Sequence, residues 1–67
     1  MRKTIRPKDL VRILGKHGFT LDRQAGSHAH LRHPDGRWTT IAIHNKEIKR
    51  GTLHAILRDI GLMLDDL

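Results

Sequence analysis

The chain contains no cysteine and no tyrosine, and Phe19 and Trp38 are the only aromatics among its 67 residues. Without thiols it can form no disulfide and present no thiolate to zinc. That suits a reducing compartment, so the cytoplasm is the expected location. Two aromatics cannot dominate a core, so aliphatic side chains must build it. No apolar run approaches the roughly 20 residues that a bilayer-spanning helix needs, and no membrane role is expected. The basic start, Met1-Arg2-Lys3-Thr4-Ile5-Arg6, leads into no apolar segment and does not read as a signal peptide. Acidic residues are also scarce. Seven Asp and Glu stand against 13 Lys and Arg, a formal net charge of +6. Such an excess in so short a chain favours a polyanionic partner, nucleic acid first and an anionic membrane second.

A domain of this size buries only about 60% of the surface its unfolded chain exposes. Residues 1–67 are therefore expected to form one domain with a thin core, one layer of helices on one sheet. Pro7 to His17 reads as a helix. Pro7 suits its first position, Asp9 its first turn, and Gly18 its end. Leu10, Ile13 and Leu14 share a stripe, while Lys8, Arg12 and Lys16 lie opposite. The period then changes to two. Phe19 and Leu21 alternate with Thr20 and Asp22, which predicts a first strand. Ala25-Gly26 marks a turn. From Ser27 to His33, Ala29 and Leu31 oppose His28, His30 and Arg32. Pro34-Asp35-Gly36 is a hairpin turn. From Arg37 to Ile43, Thr39, Ile41 and Ile43 oppose Trp38, Thr40 and Ala42. Short strands joined by tight turns make an antiparallel sheet. A second helix is predicted to start near Lys49 to Thr52 and to end at Gly61. Its Leu53, Ile56, Leu57 and Ile60 recur at i, i+3, i+4, i+7. The expected fold is thus α+β, helix–three-stranded antiparallel sheet–helix. Both helices cover one face, and His28, His30, Arg32 and Trp38 lie on the other.

Three roles are open to the histidines of that face. A metal site could use His28 and His30 with His33, His44 or an acid, but no cysteine and no His-Glu-x-x-His motif supports it, and no metal is expected. They could be solvated surface residues. Or an imidazole could serve as acid and base near neutral pH. Beside a basic surface the natural substrate is RNA, whose 2′-hydroxyl can attack the adjacent phosphorus without any cofactor. Such cleavage needs a proton acceptor, a proton donor and positive charge at the phosphate. His28 could supply the first two functions, with Arg32, Lys46 or Lys49 nearby. Lys46, Lys49 and Arg50 crowd the start of the second helix, a place that favours phosphate. His44 could reach the open face from the end of the third strand. Trp38 could stack on a base or shield the sheet. His17 reads as structural, and His54 as solvated or touching a partner.

The stretch RQAGSHAHLRHPDGRWTTIAIHNKEIKRGTLHAILRDIGL resembles the HicA-like toxins of bacterial type II toxin–antitoxin systems. Its landmarks are Gly26-Ser27-His28, the turn His33-Pro34-Asp35-Gly36-Arg37, the strand leading to His44, Lys49-Arg50-Gly51-Thr52-Leu53, and Ile60-Gly61-Leu62. The helix KDLVRILGKHGF fits as well, so nearly the whole chain is covered. The resemblance implies a fold like that of double-stranded-RNA-binding domains. It implies an mRNA interferase, an endoribonuclease held inactive by a HicB-type antitoxin. It also implies that the motif histidine, here His28, is catalytic. Arg32, Lys46, Lys49 and Arg50 are then candidate phosphate contacts, and Ser27, His30, Trp38 and His44 candidate auxiliaries. Where family members often carry a second histidine directly after the motif, this chain has Ala29 followed by His30. Met63 replaces a usual serine, so the last turn is expected to lose its cap. The alternative is an RNA-binding module of the same fold without catalysis, or a DNA-binding partner protein.

Overall fold

A computed structural model describes residues 4–67. Helix α1 spans Pro7–Lys16, with His17 as its C-cap. The ring of Pro7 sits at the first position, where a missing N–H costs no helical bond. Strand β1 is Thr20–Ala25, β2 His28–Arg32 and β3 Trp38–Ala42. Helix α2 is Arg50–Ile60, and a short 3-10 turn at Leu64–Asp66 follows. The sheet is antiparallel in the order β1-β2-β3. This is the α+β, double-stranded-RNA-binding-domain-like arrangement expected from the sequence. The regular ladder of β2 and β3 is a residue shorter at each end than the alternation suggested. Single bonds continue it, from Ile43 N–H to Ser27 O (2.6 Å) and from His33 N–H to Arg37 O (2.8 Å).

The inward face carries Ala29 and Leu31 of β2 and Thr39 and Ile41 of β3, all buried. Leu10 and Leu14 of α1 and Leu53, Ile56, Leu57 and Ile60 of α2 close over them. Each fully buried leucine or isoleucine contributes roughly 1.5–3 kcal/mol, which is how so few aromatics suffice. Both helices pack chiefly against β3. Strand β1 lies at the far edge, and it does not follow the expected alternation. Phe19 is buried just before the strand, but all six residues of β1 are exposed, Leu21 by 53%. The helices do not extend over that edge, and a bulge between Leu21 and Arg23 interrupts the register.

One cluster joins the hairpin to the helices. The Phe19 and His33 rings meet edge to face at 5.0 Å. The Arg37 guanidinium lies 5.3 Å from the Phe19 centroid. Its Nε donates to Asp35 Oδ2 (2.8 Å) and its Nη1 to the Ile60 carbonyl at the end of α2. Gly18 makes the approach possible. Its φ is +93°, and a Cβ there would sit 2.7 Å from His33 Nε2. His17 Nε2 bonds the Asp66 carbonyl (2.9 Å), a structural role that ties α1 to the C-terminal turn. The cap expected to be lost at Met63 is supplied from the other side. Asp66 Oδ2 accepts the Met63 N–H (2.7 Å), while the Met63 carbonyl accepts the Asp66 N–H (2.9 Å). No helix among the described residues is long and apolar enough to cross a membrane.

Candidate RNA-facing site

The uncovered face of the sheet is built in three cross-strand rows. The first is Ala25–His28–Ala42, the second Arg23–His30–Thr40, and the third Thr20–Arg32–Trp38. Side chains two apart on a strand point the same way, so the three middle residues line up along β2.

His28 is exposed and stands between two alanines. Methyl groups on both sides leave the ring unobstructed. Among the described residues its side chain has no hydrogen-bond or ion-pair partner. Two other histidines, His30 and His33, are engaged. His30 is half-buried, and its Nδ1 is hydrogen-bonded to Thr40 Oγ1 at 3.0 Å, the donor depending on the ring tautomer. His33 turns into the hairpin. Its Nδ1 faces both the Asp35 N–H (3.1 Å) and Asp35 Oδ1 (2.9 Å). Nδ1 accepts from the former when it bears no hydrogen and donates to the latter when it does. Asp35 itself is held below the ordinary carboxylate range, first by the Arg37 backbone N–H and then by the Arg37 guanidinium and His33.

The candidate cations fall into two groups. At the His28 end of the sheet, between β3 and the start of α2, Ala42 borders a depression of about 300 Å³ that His44, Lys46, Glu47, Lys49 and Thr52 also line, over the core residues Ile41 and Ile56. Lys46 and Lys49 are exposed, and Lys49 is the N-cap of α2 without a side-chain cap bond. Arg50, the first residue of α2, is exposed beside them. His44 lies beyond β3, in the loop, rather than on the strand. Ser27 precedes β2, and its carbonyl holds the Ile43 N–H. Arg32 and Trp38 occupy the opposite end. Arg32 lies four residue steps along the strand from His28, about 13 Å at 3.3 Å per residue. The expectation that Arg32 stands near His28 is therefore corrected: they share a face but not a neighbourhood. Trp38 is 63% exposed on that face. His54 is exposed on α2, away from these rows.

Three participants were not singled out from the sequence. Arg23 reaches the open face opposite His30 because of the β1 bulge. Uninterrupted alternation would have placed Asp22 there. Thr40 is the partner that holds His30. Arg37 is a cation spent on structure, since the hairpin carboxylate and the α2 terminus occupy it. The motif Pro34-Asp35-Gly36-Arg37 signalled the turn but not that long-range bond. No three His, Asp or Glu side chains converge in a metal-binding arrangement among the described residues.

No curated protein matches the chain. Residues 7–62 match the family described as the HicA toxin of bacterial toxin–antitoxin systems. That span starts with α1 and runs just past α2, so it takes in every element that shapes the open face. The chain belongs to the HicA toxin family and is the toxin of a toxin–antitoxin system, with an antitoxin as its counterpart.

Proposed function

We propose that this toxin is a metal-independent endoribonuclease that cleaves single-stranded or locally unpaired mRNA in the cytoplasm, with His28 as the general acid or base. The observation that carries this reading is the free imidazole of His28, exposed between two alanines at the lysine-bearing end of the sheet. In the reaction, the ribose 2′-oxygen loses its proton and bonds to phosphorus. The bond from phosphorus to the 5′-oxygen breaks, and that oxygen takes up a proton. The products are a 2′,3′-cyclic phosphate and a 5′-hydroxyl. One imidazole can serve one of the two proton transfers, with water serving the other. Lys46, Lys49 and Arg50 hold the phosphate and offset the charge that grows on its oxygens. Arg32, farther along the strand, holds a neighbouring part of the chain.

A HicB-type antitoxin is proposed to cover His28 and these cations. An acidic partner would neutralise the same charges that RNA uses. A complex that still cleaves RNA would refute that mode of inhibition.

The test is cleavage of a defined RNA by the wild-type protein and His28→Ala, with product ends identified. His28→Ala is expected to keep the fold and RNA binding and to lose about two to four orders of magnitude in rate. EDTA is expected to leave the wild-type rate unchanged. An equal rate for both proteins removes His28 from the mechanism. Salt-sensitive retention of intact RNA, without fragments, would make the protein a binding module instead.

A further inference from the structure

A depression on the open face is bordered by Asp22, Arg23, His30, Leu31, Arg32 and Trp38 and measures about 370 Å³. Two independent features shape it. The bulge in β1 shifts the parity of the strand after Leu21, so a guanidinium rather than a carboxylate stands across from His30. The register of β2 with β3 sets Trp38 directly beside Arg32. The result is an exposed indole with an arginine on either side of the hollow, and a floor held by the His30–Thr40 hydrogen bond. Asp22 is the one carboxylate on the rim. It is an acceptor suited to the exocyclic amine of a base and repels phosphate.

We propose that this hollow is a nucleotide subsite. An unpaired base stacks on Trp38, and the flanking phosphates lie on Arg23 and Arg32. The proposal rests on the reading that the open face takes RNA, and it adds a second point of attachment to the one at His28. Arg32 and Trp38 lie two rows along the sheet from His28, so the subsite would hold the strand and place a different phosphate at His28. Aromatic stacking is available to every base, while a base locked in a duplex presents no free face. The subsite therefore selects unpaired RNA.

Trp38 is the only tryptophan, and tyrosine is absent, so intrinsic fluorescence reports on this position alone. The probe is a short oligonucleotide bearing 2′-O-methyl groups throughout. It has no 2′-hydroxyl to attack and stays intact whatever the protein catalyses. The wild-type chain is expected to lose fluorescence on binding it, and to lose little on binding the same backbone without bases. By anisotropy of the labelled probe, Trp38→Ala is expected to bind about 5- to 150-fold more weakly, the equivalent of 1–3 kcal/mol for one stacked base. Arg23→Gln is expected to reduce the slope of log affinity against log salt by about 0.7, the contribution of one single-strand phosphate. Circular dichroism checks that both variants fold. Equal quenching by the base-free backbone, or unchanged affinity in Trp38→Ala, overturns the subsite. Fragments from unmodified RNA alongside either of those results would leave the catalytic proposal standing. Base-dependent quenching without any fragments would do the reverse.

Discussion

Arg37 is the cation whose removal separates structure from substrate binding most sharply. Its guanidinium donates to the Ile60 carbonyl and to Asp35, and lies over Phe19. In Arg37→Met the apolar stem is largely retained and the charge is lost. A hydrogen bond from a charged donor contributes about 1.5–3 kcal/mol. The cation over the ring adds about 0.5–1 kcal/mol. The pair with Asp35 is exposed and screened by solvent, and it adds little. These contacts share one side chain and do not add fully, so the expected loss is about 2–3 kcal/mol. At roughly 0.05–0.15 kcal/mol per residue, a chain of this length holds only about 3–10 kcal/mol in total. A domain of this size shifts by about 4–8 °C per kcal/mol, which puts the fall in Tm at roughly 8–24 °C. The assay is a thermal melt followed by far-UV circular dichroism. It is paired with RNA cleavage at a temperature where the variant is fully folded, at which the wild-type rate is expected. A fall of less than about 3 °C would refute the energetic reasoning. A tenfold loss of cleavage by the folded variant would show that Arg37 serves the substrate.

Two further perturbations probe the same corner of the fold. Gly18→Ala forces a side chain into a φ of +93° and against the His33 ring. It is expected to cost about 2–4 kcal/mol by urea unfolding; a midpoint equal to wild type would mean that the backbone there relaxes freely. Asp35 has a folded-state pKa below its unfolded value, so its contribution is present above the unfolded pKa and is lost as pH falls through the folded one. Stability measured from neutral pH down through about pH 5 and below should fall more steeply for wild type than for Asp35→Asn. Parallel curves would mean that the Asp35 carboxylate is not linked to folding.

Much of this molecule follows from local chemistry that the sequence carries. The periods of 3.6 and 2 specify two helices and a hairpin-linked sheet, because burial requires each element to present one apolar side. Pro34-Asp35-Gly36 fixes the β2–β3 turn, and Gly61 the end of α2. The alternation around Ala29 and Leu31 is enough to place His28, His30 and Arg32 on the opposite face. Charge alone points to a polyanion, and the Gly26-Ser27-His28 motif to the family.

Tertiary packing decided what alternation could not. Strand β1 buries no side chain, and after Leu21 no apolar alternation pins its register, so the bulge that sets Arg23 rather than Asp22 across from His30 is invisible in one dimension. Two of the histidines are engaged by partners 10 or more residues away, Thr40 for His30 and Asp66 for His17. Arg37 and Arg32 look alike along the chain, yet one caps a helix 23 residues on and the other faces solvent. Side-chain type determined which groups are available. Only the folding of distant segments onto one another determined which of them are already occupied, because a hydrogen bond or a ring contact reaches a few ångströms in space whatever the separation in sequence.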